Sequence, residues 1–176
     1  MKKEFNVVAI VARRLTDRIL ESITKIDSLL NEMGIQTLLE EKVLSALKLD
    51  RGDGVVTKAE LAGVADLVIV VGGDGSILGV SRDLAGSGVP VVGVNRGSLG
   101  FLAAIAPGDI EEKFEQILSG DYSIEDHFLL EAQVFRDDVL VSSSTALNDV
   151  VVNPSSMSRA RHCKLSILTL VSDTCF

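Results

Sequence analysis

Three stretches of this chain are almost wholly apolar: FNVVAIV (5–11), DLVIVV (66–71) and PVVGVN (90–95). A strand with one wet face alternates apolar and polar side chains. An unbroken run has to be covered on both faces, as the central strands of a parallel sheet are. Between the runs lie helical patterns. Thr16 offers an N-cap and Asp17 suits the positive end of a helix dipole. Ile19, Ile23, Ile26, Leu30 and Met33 then recur at helical spacing on one face, and Gly34 stands where a helix ends. IQTLL (35–39) reads as a strand, and 40–65 is mixed, with DRGDG (50–54) as a loop. ILGVSRDLAGSG (77–88) is helical up to its glycines, and a helix capped by Asp109 runs through Leu118 to Gly120. Strand and helix in this succession predict a doubly wound α/β sheet with right-handed connections.

After about residue 122 the pattern changes. HFLLEAQVFR, VLVSSST, ALNDVVV and KLSILTLV (164–171) read as strands joined by short polar turns, with SDT (172–174) as the last turn. The expected organisation is an N-terminal doubly wound parallel-sheet domain over 1–122, then the start of an all-β domain over 123–176, incomplete. The net charge of −8 argues against a general nucleic-acid binder, which would carry a basic face, but leaves nucleotide binding open. The apolar run at the N-terminus is short and broken by Arg13 and Arg14, unlike a signal peptide or a membrane span. Cys163 and Cys175 read as reduced thiols outside any metal-ligand spacing. These features lead to the expectation of a cytoplasmic chain without a membrane partner.

The run at 66–71 ends in GGDGS (72–76). Such a turn costs backbone entropy and needs a partner or water for its carboxylate. In return, glycines let a ligand approach the backbone and aim N–H groups at an anion, at a helix start that favours phosphate. Asp74 adds a hydrogen-bond acceptor, which phosphoryl transfer to an alcohol requires. The plainer alternative is a tight strand-to-helix turn with Asp74 as N-cap. No G-K-[ST] follows, so this is not a Walker loop, and the dinucleotide fingerprint GxGxxG does not fit either. The next run leads into GVNRGSLGFL (93–102), where Asn95 offers a donor and an acceptor and Phe101 a flat apolar face. By itself it would also serve as a glycine-rich loop with an apolar plug.

GGDG-S, the longer glycine loop about twenty residues on, and an Asn-acidic pair in ALNDVVV (146–152) together resemble the NAD kinases. The resemblance implies phosphoryl transfer from ATP, or polyphosphate in some members, to the 2′-hydroxyl of the adenosine ribose of NAD, giving NADP. It also implies a divalent metal, usually Mg²⁺, and a cytoplasmic homo-oligomer. Asp74 matches the family's proton acceptor, Gly75 its neighbour in the nucleotide contact, and Phe101 the aromatic on the adenine side. Asn148 and Asp149 match the pair that holds the dinucleotide, with Asp149 in place of the commoner Glu. Arg159 falls where many members carry a basic residue near a phosphate; with Arg161 and Lys164 it otherwise reads as a solvated strand edge. His127 and His162 read as structural or solvent-facing.

The family's T-P-x-G-S-T-A-Y segment does not occur in these 176 residues. The chain alone is therefore expected to turn over little or no NAD, and its β part to expose edges and an apolar face. Two alternatives remain: a non-catalytic nucleotide-binding or oligomer-forming remnant, and a phosphofructokinase-like sugar kinase.

Overall fold

Covering a strand on both faces takes two helical layers, and the two sides of the sheet separate cleanly here. The computed structural model describes residues 5–50, 54–97 and 100–151, and the backbone of 163–175. Strands β1 (Val7–Val11), β2 (Gln36–Glu40), β3 (Val55–Val56), β4 (Leu67–Gly72) and β5 (Val91–Asn95) form one sheet in the order β3-β2-β1-β4-β5, and every pairing is parallel. Val8, Ile10, Ile69 and Val71 share a core with α1 (Asp17–Glu32), α2 (Glu41–Leu47) and α5 (Ile110–Ser119). Their neighbours Ala9, Val11, Val68 and Val70 share another with α3 (Leu61–Val64) and α4 (Asp74–Asp83). This is the doubly wound α/β fold expected from the uninterrupted apolar runs.

Helix α1 follows its sequence pattern closely. Ile23, Ile26 and Leu30 are fully buried, which stabilises the fold by about 1.5–3 kcal/mol for each side chain. Thr16 stands at the N-cap but its side chain makes no capping bond, and Gly34 follows the C-cap Met33 at φ 69°. Helix α5 starts after Asp109, likewise without a side-chain capping bond, and closes on Gly120 at φ 89°.

The second sheet is antiparallel, in the order β7-β6-β8: β6 (Asp126–Arg136), β7 (Val139–Ala146) and β8 (Cys163–Cys175). Asp137 and Asp138 turn β6 into β7, both with positive φ, as a two-residue hairpin turn of the primed type requires. Two expectations need correction. SDT is no turn: Thr174 pairs with His127 and Cys175 with Asp126 inside β8. ALNDVVV does not read as a strand over its described part: β7 ends at Ala146 opposite Leu130, Asn148 lies in a bend, and Val152 lies outside the described residues. Among the described residues, the backbone of β6 before Leu130 pairs with β8 and has no partner on the β7 side. Cys163 and Cys175 occupy opposite ends of β8, about 40 Å apart at strand rise, far beyond disulfide reach within one chain. Val139, Leu140, Val141 and Phe128 are exposed on this sheet, the apolar surface that the sequence led one to expect.

Candidate functional site

In the order β3-β2-β1-β4-β5 the chain winds one way from β1 and then the other way from β4. The reversal falls between β1 and β4, and open α/β sheets bind ligands outside the carboxyl ends of their strands at such a point. Arg13 and Arg14 follow β1 there, and Gly72–Gly73–Asp74–Gly75 follows β4. A cleft of about 380 Å³ opens between them, walled by Arg13, Arg14, Gly72, Gly73, Gly75 and Arg96, among others. Gly73 is the N-cap of α4, and no side chain caps the helix. Gly73, Gly75 and Ser76 line the cleft, so it opens on the end of α4 whose first N–H groups an anion or water can take.

Asp74 is the first residue of α4 rather than its cap, which removes the plain N-cap alternative. Its side chain turns away from the arginine cleft toward the second glycine loop. Oδ2 accepts the N–H of Phe101 (2.8 Å), and Oδ1 accepts those of Leu102 (3.1 Å) and Ala103 (3.2 Å). The loop reaches this position because the chain beyond it runs back beside β5. Asn95 N–H donates to the Ile105 carbonyl at 2.8 Å, and Ile105 N–H to the Gly93 carbonyl at 3.0 Å. Gly100 must be glycine for the same reason, since a Cβ there would overlap the Asp74 carboxylate. Gly93 likewise lets Ile77 of α4 and the Ala103 backbone close in.

Partial desolvation pushes the Asp74 carboxyl up, but the three N–H bonds outweigh it and hold the group below the ordinary aspartate value of 3.8. The sign of the linkage follows: the loop clamp contributes stability above the unfolded value and loses it as pH falls through the lower folded one. The amide resonances of Phe101, Leu102 and Ala103 should thus stay unchanged through mild acid. They should move together with a midpoint below 3.8. A midpoint at or above that value would show that the clamp does not form.

Phe101 is fully exposed. Asn148 and Asp149 are exposed too, just beyond the end of β7, which packs against α4. Arg159 and His162 lie outside the described residues. The structure thus brings Asp74 to the loop that carries Phe101, and brings β7 to the helix that Asp74 starts. Sequence reading missed the arginines. Arg96 donates its backbone N–H to the Gly72 carbonyl at 2.9 Å and its Nε to Ser22 Oγ, and Nη2 lies 3.5 Å from Glu21 Oε2. Only 16% of its side chain is exposed, and it stands between the first cleft and a second, of about 360 Å³, walled by Arg18, Asn95 and Pro107 among others. The available signal was an arginine just past the end of each of two buried strands, two residues beyond β1 and directly after β5.

Comparison with known proteins matches residues 8–122 to the ATP-NAD kinase N-terminal domain. The chain is 40% identical over 165 residues to the NAD kinase of Teredinibacter turnerae, covering 94% of this chain and 56% of that protein. It is 42% identical over 167 residues to the NAD kinase of Ectopseudomonas mendocina, covering 94% and 56%. The chain thus spans about half the length of the curated relatives it matches. Among solved structures, yeast NADH kinase complexed with NADH superposes with a TM-score of 0.69 at 18% identity, over 84% of this chain and 48% of that one. An NAD kinase from Archaeoglobus fulgidus in complex with ATP gives 0.51 at 15% identity, over 94% and 72%. At these identities the two structures speak for the fold. With a sheet reversal walled by arginines and a GGDG turn locked to the second glycine loop, and with relatives at this level of identity, the chain belongs to the NAD kinase family.

Proposed function

We propose that this chain supplies the nucleotide-binding part of an NAD kinase, which transfers the terminal phosphoryl group of ATP to the 2′-hydroxyl of the adenosine ribose of NAD. The division of labour would fall near residue 122, between the parallel-sheet domain and the β part. The observation that carries this reading is the glycine turn acting as a partition. On one side lies the arginine-walled cleft at the start of α4, suited to a chain of phosphates. On the other lies the Asp74 carboxylate beside Phe101. A carboxylate offers about four lone-pair positions, and three are taken by backbone N–H groups. The remaining one, on Oδ2, is where a ribose hydroxyl would dock.

Held below its usual pKa, Asp74 is a weak base. It orients the hydroxyl toward the phosphorus and takes its proton late, as a loose phosphoryl-transfer transition state allows. Arg13, Arg14 and Arg96 would balance charge on the transferred group. Gly75, beside Asp74 in the cleft wall, leaves the nucleotide room to approach. Among the described residues no group of three or more metal-ligating side chains converges. The family pattern implies Mg²⁺, which is commonly held by one or two carboxylates and the substrate's own phosphates; bound with those phosphates, it would neutralise their charge. Asn148 and Asp149, just past the end of β7, would hold the dinucleotide, and Phe101 would cover its adenine. Arg159 is assigned to a phosphate by the family pattern alone. In the completed enzyme, the family pattern suggests a cytoplasmic homo-oligomer.

The direct test is NADP formation from NAD, ATP and Mg²⁺ by the chain completed to the length of its relatives; a preparation that is folded and makes none would sink the reading. Asp149→Ala in the same protein should raise KM for NAD more than it lowers kcat, because a group that holds the substrate equally in ground and transition states acts on KM. A loss of kcat at unchanged KM would remove Asp149 from the binding role.

A further inference from the structure

Ser22 shares the buried face of α1 with Ile19, Ile23 and Ile26, and it is itself fully buried. A buried hydroxyl needs a hydrogen-bond partner. Ser81, the other fully buried serine among the described residues, finds one in its own helix, the Ile77 carbonyl four residues back, at 2.9 Å. Ser22 Oγ instead accepts the Nε–H of Arg96, which lies 74 positions further along the chain. A carbonyl one turn back would satisfy the hydroxyl without ordering a long side chain. A bond across the fold to Arg96 costs that order, and what it gains is a fixed arginine.

That arginine walls both the first cleft and the second. Its backbone N–H, bound to the Gly72 carbonyl, ties it to the foot of the GGDGS turn. A guanidinium offers several N–H donors in a rigid fork. Here Nε serves Ser22, Nη2 stands 3.5 Å from a Glu21 carboxylate that is 74% exposed, and Nη1 makes no hydrogen bond among the described residues. A long pair with an exposed carboxylate contributes little, so this largely buried cation is short of counter-charge. A phosphate in the adjoining clefts supplies it and can take two parallel N–H bonds from one fork. The fork binds best when it is aimed beforehand, because ordering a long side chain on binding lowers affinity. A bond from Nε to a buried hydroxyl aims it and leaves the Nη edge to the ligand.

We infer that Ser22 is a positioning residue: its buried hydroxyl holds the Arg96 guanidinium in the orientation in which Nη1 and Nη2 bind the phosphates of the phosphoryl donor. The inference rests on the kinase reading for the identity of those phosphates. Titration calorimetry on the 176-residue chain with Mg²⁺ tests it, using tripolyphosphate, ATP and NAD as probes. The variants are Ser22→Ala, Arg96→Ala and the two combined. Ser22→Ala should weaken tripolyphosphate and ATP by about three- to tenfold, the cost of ordering one long side chain on binding, and leave NAD within about twofold. Arg96→Ala should weaken both phosphate ligands by about tenfold or more. On top of Arg96→Ala, Ser22→Ala should change neither by more than about twofold, because the group it acts through is gone. A role in helix packing alone would lower the melting temperature without this coupling. If S22A does not fold, as circular dichroism would show, nitrogen NMR on the unmodified chain decides. The Arg96 Nε–H signal, identified by its loss in Arg96→Ala, should be protected from exchange and hold its place on adding tripolyphosphate, while the Nη signals shift.

A Ser22→Ala loss that recurs undiminished on top of Arg96→Ala overturns the inference, since Ser22 then acts without the arginine. Unchanged tripolyphosphate affinity in either single variant overturns it, and so does an absence of tripolyphosphate binding to the unmodified chain. A Ser22→Ala loss for NAD equal to that for tripolyphosphate assigns the arginine to the acceptor and overturns it too. An Nε–H signal that tripolyphosphate shifts as far as the Nη signals shows that the ligand breaks the bond, with the same consequence. NADP formation by the completed chain is read separately. Its absence removes the kinase reading while the coupling of Ser22 to Arg96 stands, and its presence with phosphate affinities unmoved by Ser22→Ala removes only the positioning role.

Discussion

Asp74→Asn in the completed enzyme is expected to lower kcat by roughly 10²–10⁴-fold, the range of a positioned acid–base group. The substitution keeps size and one acceptor oxygen. That oxygen can still serve Leu102 and Ala103, which share Oδ1. The new amide would then set its own N–H groups against that of Phe101, which now donates to Oδ2. Two donors facing each other loosen the loop, so the melting temperature should fall as well, by roughly 2–8 °C. Asn and Asp are nearly interchangeable as N-caps, but Gly73 holds that position, and the tolerance does not apply. Turnover and thermal unfolding are to be measured on one preparation. Retention of more than about a tenth of the original kcat would end the proton-acceptor role and leave Asp74 as a loop clamp only.

That second role was not readable from the sequence. GGDG and GVNRGSLGFL stood out separately because glycines and a lone carboxylate break an apolar pattern. Nothing in their spacing said that one would hold the other by three backbone bonds. The main sheet was legible because β1, β4 and β5 are apolar throughout, and α1 because its apolar residues keep helical spacing over four turns. The stretch 40–65 was not: α2 has seven residues, α3 four and β3 two, too short for periodicity to speak. Asn148 and Asp149 were placed on a strand because apolar residues follow them. Where β7 ends depends on which strand continues the ladder with β6, and that is a tertiary fact. Arg13 and Arg14 were read as a break in an apolar run, whereas that break is where the strand ends and a ligand would begin.

Gly100→Ala should lower kcat of the completed enzyme by about 10²-fold, the scale on which a displacement of about 1 Å at a reacting group acts, although it removes no charge, donor or acceptor. The Cβ would overlap the Asp74 carboxylate, and that carboxylate cannot rotate away without giving up its bonds to Phe101, Leu102 and Ala103. Either the side chain or the loop must shift, and in both cases the one remaining acceptor position on Oδ2 moves relative to the cleft. ATP binding should stay within about twofold, because the cleft walls at Arg13, Arg14 and Gly73 lie on the other side of the turn and additivity holds for sites without shared partners. Gly108→Ala is the control: a Cβ there meets nothing within 4 Å, and activity should not change. This pair of variants separates position from chemistry in a way that Asp74→Asn alone does not. If Gly100→Ala behaves like the control while Asp74→Asn is inactive, the carboxylate acts from a different rotamer than the clamped one, and the clamp is a resting arrangement that the reaction breaks. If both variants lose activity together, the backbone bonds that hold Asp74 are what aim it, and the second glycine loop is part of the acceptor site even where it touches no substrate.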